Sequence, residues 1–112
     1  MATVLRFEDL EVWKKARLLA RDIFLLCETV RFAKDFELKN QVNRSSGSVM
    51  DNIAEGFERR SRAEFINFLG FAKGSCGEVR SQLYRAYDRN YFSEEVLNKF
   101  LKETKRLSLI HI

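Results

Sequence analysis

Apolar residues recur at three- and four-residue intervals through four successive stretches of this 112-residue chain, and no proline interrupts any of them. That spacing confines each stretch to an amphipathic helix with one buried stripe. Proline would remove a backbone donor and clash with the preceding turn, so its absence leaves all four helices free to run long. Nowhere do apolar and polar residues alternate as in a half-buried strand, and no hairpin signal separates the stretches. The expectation is an all-α protein, an antiparallel up-and-down four-helix bundle forming a single domain over residues 1–112.

The first helix is expected from about Asp9 to Val30, with Asp9 as N-cap and Trp13, Ala16, Ala20, Ile23, Cys27 and Val30 as its buried seam. The polar stretch Arg31–Asp35 then breaks the pattern. The second is expected from about Phe36 to Arg59 on a seam of Leu38, Val42, Ser45, Val49, Asn52 and Gly56, with Met50, Ile53 and Phe57 on one flank. Half of that seam is small or polar, which predicts a close helix crossing there. Glycine inside a helix costs up to about 1 kcal/mol relative to alanine, and an asparagine near an apolar seam must find a hydrogen-bond partner. Asn52 is therefore expected to bond a neighbouring helix, or else to contact a ligand.

The third helix opens on Ser61–Arg62–Ala63–Glu64, a capping box in which the serine accepts from the Glu64 N–H and the Glu64 carboxylate reaches back. Phe65, Leu69, Ala72, Cys76, Val79, Leu83 and Ala86 form its seam, and Asn90, tolerant of the left-handed conformation, marks its end. The fourth follows Ser93, with Glu94 and Glu95 placed against the helix dipole and Val96, Leu97, Phe100, Leu101 and Thr104 facing inward. It reads as truncated, and residues Leu107–Ile112 read as a foreign tail, so no function is placed on His111.

Several function classes find little material. His111 is the only histidine, which leaves no Ser-His-Asp or Cys-His arrangement and no Glu-x-x-His pair for a di-iron centre. Cys27 and Cys76 form no C-x-x-C motif and occupy seam positions, where a cysteine behaves as a small hydrophobe. Asp51, Glu55 and Glu58 lie near one helix face and carry the oxygen chemistry of a hard-cation site. The competing use is ionic: Glu55 precedes Arg59 by four residues in the favourable order, and Asp51 is within reach of Arg44. The resulting expectation is a non-enzymatic protein with no catalytic residue, cofactor or metal. No apolar run approaches the roughly 18 residues of a membrane span, and no secretory signal opens the chain, so the expected location is cytoplasmic.

Charge is uneven. Between Arg59 and Arg89 stand seven basic residues and three acidic ones, a surplus equal to the whole chain's +4. Arg59, Arg60 and Arg62 cluster at the turn between helices two and three. Arg62, Lys73 and Arg80 follow at eleven- and seven-residue spacing, which places them in one stripe. These five are the candidate contacts to a polyanion such as RNA, because Lys and Arg on phosphates release counterions and bind with little sequence preference. Tyr84, Tyr87 and Tyr91 beside Arg85 and Arg89 can either stack on unpaired bases or close the bundle end.

Two outer faces are apolar or bare. Leu18 and Leu25 stack seven residues apart on the first helix, opposite its seam. Gly70, Gly74 and Gly77 form a stripe on the third, bordered by Ile66 and Phe71. A glycine stripe weakens a helix unless something packs closely against it. Leu18, Leu25, Gly70, Phe71 and Gly77 are thus expected at a homo-oligomer interface.

Phe7–Glu8–Asp9–Leu10–Glu11–Val12–Trp13–Lys14–Lys15–Ala16 resembles the opening of the four-helix bundle proteins encoded in 23S rRNA intervening sequences, also called S23 ribosomal proteins. Asn52–Ile53–Ala54–Glu55–Gly56–Phe57–Glu58–Arg59 matches the family's central motif. Glu64–Phe65–Ile66–Asn67–Phe68–Leu69, Ala72–Lys73–Gly74–Ser75 and Glu78–Val79–Arg80–Ser81–Gln82–Leu83 continue it in order. Many members carry a proline shortly before the central motif; here Ser48–Val49–Met50–Asp51 fills that stretch. The resemblance marks Asn52, Glu55, Gly56, Gly74 and Ser75 as motif residues. It implies a bacterial bundle that assembles into homopentamers and has no enzymatic activity. The family is similar to the accessory variability protein of diversity-generating retroelements, a basic pentamer that binds nucleic acid and a reverse transcriptase. An RNA-binding accessory protein is the reading this supports; the alternative is a protein–protein interaction scaffold with no nucleic-acid role.

Overall fold

The computed structural model describes residues 3–108. Four α-helices follow one another: α1 (Glu11–Cys27), α2 (Phe36–Glu58), α3 (Arg62–Asp88) and α4 (Glu94–Ser108), with single 3-10 turns at Phe7–Asp9 and Phe32–Lys34. No strand occurs among the described residues. Each helix packs on the next, most extensively α2 on α3, and the ring closes through a sparse contact between α4 and α1. Connections this short between long helices force antiparallel neighbours, so the architecture is the expected four-helix bundle. At about 1.5 Å per residue, the 27 residues of α3 span about 40 Å, nearly the whole 46 Å length of the molecule.

The core is one cluster. Ala16, Leu19, Ile23 and Cys27 supply it from α1, Leu38, Val42, Val49 and Ile53 from α2, Leu69, Ala72, Cys76, Val79, Leu83 and Ala86 from α3, and Leu97, Phe100 and Leu107 from α4. Burial pushes the Cys27 thiol up to about 12 and that of Cys76 to about 11, so both stay protonated and pack as apolar groups.

Several local expectations are corrected. α1 begins at Glu11 with Leu10 as its N-cap and no side-chain cap bond; Asp9 sits in the preceding 3-10 turn, 3.3 Å from Arg6. The helix ends at Cys27, where the Glu28 and Thr29 N–H groups bond back three residues and tighten the last turn. Val30 therefore lies outside the helix and is 79% exposed, and Leu19, not Ala20, carries the buried stripe between Ala16 and Ile23. The polar connection Arg31–Asp35 conceals a core residue: Phe32 is fully buried and stacks on Tyr91 at 5.1 Å.

The α2–α3 crossing is as close as its small residues predict. A Cβ on Gly56 would lie 2.5 Å from Phe68 Cβ and 3.2 Å from Phe65 Cδ1; only glycine permits this approach. Ser61 caps α3 by accepting from the Glu64 N–H at 3.3 Å, while the return bond from the Glu64 carboxylate is not made among the described residues. Asn90 takes the left-handed conformation at φ 62° and closes α3. In α4, Ser93 accepts from the Val96 N–H, and Leu107 is buried. Of the segment read as a foreign tail, Leu107 and Ser108 are helical; residues 109–112, His111 among them, lie outside the described residues.

Candidate nucleic-acid interface

The α2–α3 turn carries three of the five candidate cations, and their surroundings differ. Arg59 Nη2 lies 2.7 Å from Glu55 Oε2, with its guanidinium 5.1 Å over the Phe68 ring. Arg60 stands at φ 62°, a conformation uncommon outside glycine, with its guanidinium 5.9 Å over Phe57. That left-handed residue lets Ser61 begin the cap of α3 within a three-residue connection. Arg62 is exposed in the first turn of α3. Among the described residues neither Arg60 nor Arg62 has a carboxylate partner.

Lys73 and Arg80 lie on α3 farther along the same stripe, Lys73 about 16 Å from Arg62 along the axis. With Tyr84 of α3 and Leu101, Lys105 and Ser108 of α4 they line a shallow groove between the two helices. Arg80 Nη1 reaches Ser108 Oγ at 3.4 Å. Lys105 was not legible as a member of this cluster, because only the docking of α4 on α3 brings it there. Lys14, Arg17 and Arg21 form a second basic group, around a depression at Leu18; one helix, α1, sets their register, and the sequence reading passed over them.

The surplus between Arg59 and Arg89 is partly spent on structure. Arg89 Nη1 donates to Asp35 Oδ2 at 2.6 Å, Arg59 is tied to Glu55, and Arg85 Nη1 donates to Gln41 Oε1 at 2.8 Å. The three tyrosines divide in the same way. Tyr91 donates its hydroxyl to Asp35 at 2.7 Å, and Tyr87 is half-buried against the core; these two close the bundle end. Tyr84 is 50% exposed and belongs to the groove.

Leu18 and Leu25 are 49% and 57% exposed on α1, and Phe71 is 57% exposed on α3. α1 and α3 occupy opposite corners of the bundle, so the two sets belong to separate faces and the structure does not bring them together. A Cβ on Gly70 or Gly74 would meet no atom within 4 Å, and one on Gly77 only Arg80 Nη2 at 4.0 Å. Among the described residues no packing requires these three glycines.

Among the described residues no group of three or more His, Cys, Asp or Glu side chains could hold a metal ion. Glu55 is engaged by Arg59, whereas the expected pair of Asp51 with Arg44 is not formed. No helix among them is long and apolar enough to cross a membrane.

The family model of the 23S rRNA-intervening sequence protein matches residues 8–111. The chain belongs to this family. Among solved structures it is similar to a protein of unknown function from the S23 ribosomal protein family of Bacteroides thetaiotaomicron, at 28% identity over 87% of this chain and 88% of that one, with a TM-score of 0.79. No curated protein matches the chain. Within the family motif, Gly56 makes the close α2–α3 approach and Glu55 holds Arg59. Asn52 departs from expectation: its Nδ2 donates to Ser48 O at 2.8 Å within its own helix, satisfying the side chain without a neighbouring helix. Ser75 is buried on α3, and Gly74 is exposed beside it.

Proposed function

We propose that this member of the 23S rRNA-intervening sequence family is a cytoplasmic, non-enzymatic accessory protein that binds structured RNA and assembles with itself, as a pentamer by family resemblance. The observation that supports RNA binding is a row of cations without carboxylate partners among the described residues, Arg60 and Arg62 at the α2–α3 turn followed by Lys73 and Arg80 on one face of α3. Cations left unpaired along one edge suit a phosphate backbone. The bare stripe of Gly70, Gly74 and Gly77 and the exposed Leu18 and Leu25 support self-assembly. Because these faces sit on opposite corners, each copy would offer α1 to its neighbour's α3, a head-to-tail contact of the kind that closes rings. A reverse-transcriptase-like protein is a further partner class that the resemblance brings in.

Anisotropy of a labelled structured RNA across a salt series tests the RNA reading. Affinity should fall steeply with salt. Changing Arg60, Arg62, Lys73 and Arg80 to Ala should weaken binding and flatten the salt dependence by about one unit of slope for each phosphate left without its cation. Absence of binding at low salt rejects this reading in favour of the protein–protein scaffold, which the exposed Leu18, Leu25 and Phe71 would then serve. Assembly has its own check. Light scattering should show a multimer that dissociates when Leu18 and Leu25 become Glu; an unchanged mass rejects that face.

A further inference from the structure

We infer that the groove between α3 and α4 takes unpaired nucleotides, with a base stacked on Tyr84 and the flanking phosphates on Lys73, Arg80 and Lys105. The inference rests on the RNA-binding reading above and specifies which form of RNA the site takes. Eleven and seven residues are close to whole numbers of helical turns, so Lys73, Arg80 and Tyr84 lie within about 40° of one another around α3, over about 16 Å of its length. Lys105 faces them across the groove from α4, and Leu101 gives it an apolar side. Together these supply cations for a backbone and an aromatic surface at one end of the α3 row.

Tyr84 is what separates single strand from duplex. Tyr91 is committed to Asp35 and Phe32, and Tyr87 packs against the core. Tyr84 makes no hydrogen bond or aromatic pair among the described residues and stands half-exposed among lysines and an arginine. A paired helix keeps its bases stacked inside and offers a protein its phosphates and 2′-hydroxyls; an exposed aromatic ring gains only from a base that has left the stack. The neighbouring apolar cavity, lined by Val49, Ile53, Leu69 and Leu107, measures about 110 Å³, whereas the groove offers about 480 Å³. The groove falls within the size range of ordinary ligand sites, roughly 300–1,000 Å³; the depression around Leu18 on α1 is comparable at about 430 Å³ but has no aromatic ring in its lining.

The test compares a short oligouridylate with a blunt RNA duplex, using wild type, Tyr84→Ala and Tyr84→Phe. Tyr84→Ala should weaken oligouridylate binding about tenfold, Tyr84→Phe should retain wild-type affinity, and neither should alter duplex binding. Ultraviolet crosslinking to a bromouridine-substituted strand should map to Tyr84. Unchanged oligouridylate affinity in Tyr84→Ala, or equal losses for strand and duplex, would overturn the inference while leaving RNA binding itself intact. If wild type binds neither RNA, the broader reading fails and this one with it. Tyr84 is half-exposed and outside the core, so both variants should fold.

Discussion

At the end of the bundle built by the α1–α2 and α3–α4 connections, the fold holds its own cations. Asp35 caps α2 by accepting from the Leu38 N–H at 3.2 Å, and its other oxygen receives both Arg89 and Tyr91. Arg31 donates to the Asn90 carbonyl at 2.9 Å, and Lys39 lies 3.1 Å from Glu28. At the opposite end, built by the α2–α3 turn, Arg60 and Arg62 hold no carboxylate among the described residues, nor does Lys73 about 16 Å farther along α3. The contrast teaches that local charge surplus is a poor guide to a binding surface. Arg59, Arg85 and Arg89 count toward the same surplus, yet each is engaged by a side chain of α2 or of the residue that caps it. What remains for a ligand is the set whose partners the fold does not supply.

The largest effects are expected at the closed end. Asp35→Ala removes the cap of α2, which alone costs about 1 kcal/mol, and also leaves Arg89 and Tyr91 without their acceptor. The charge itself is separable by pH. The hydroxyl of Tyr91, then the Leu38 N–H and Arg89, hold the Asp35 carboxyl below its ordinary value. A depressed pKa means that the unfolded chain takes up the proton first as pH falls. The stabilisation is therefore complete above about pH 3.9, the unperturbed value, and is lost as pH drops from there through the folded value. Asp35→Asn keeps the cap and discards the charge. Denaturant melts should find wild type more stable than Asp35→Asn at neutral pH, with the gap closing in acid. A gap that persists unchanged at low pH would show that the carboxylate charge contributes nothing.

The same contrast explains what was legible from the chain. Seam residues repeat, so four helices, the α3 core and the close crossing at Gly56 could be read from spacing; in α2 the spacing put Asn52 on the seam and Ile53 on a flank, whereas Ile53 is the core residue and Asn52 is half-buried. Phe32 could not: a lone aromatic between Arg31 and Lys34 has no period, and only the return of the chain over the α3–α4 turn buries it. Asp35 looked like part of a polar break for the same reason, its partners Arg89 and Tyr91 lying more than fifty residues away. Asn52 misled in the other direction. Its place on the seam suggested a bond between helices, but a bond to Ser48 O four residues back is available inside any helix. At the candidate interface, Arg62, Lys73 and Arg80 were legible because one helix sets their register, and Lys105 was not because it depends on how two helices dock.

The smallest expected effect discriminates most sharply between the two ends. Surface substitutions that touch no cap, core or network usually change stability by less than about 0.5 kcal/mol. Arg62→Ala and Lys73→Ala should fall in that range, with melts superimposable on wild type, while Arg89→Ala, which strips Asp35 of a partner, should shift the transition measurably. Conversely, the first two should weaken RNA binding at low salt and Arg89→Ala should leave it nearly unchanged. The crossed pattern matters more than either half. A cation kept for a ligand costs the isolated fold nothing when removed, whereas a cation kept for the fold contributes nothing to the ligand. If Arg62→Ala and Arg89→Ala destabilise the protein equally, the open end is as structural as the closed one, and the row along α3 ceases to support a polyanion site.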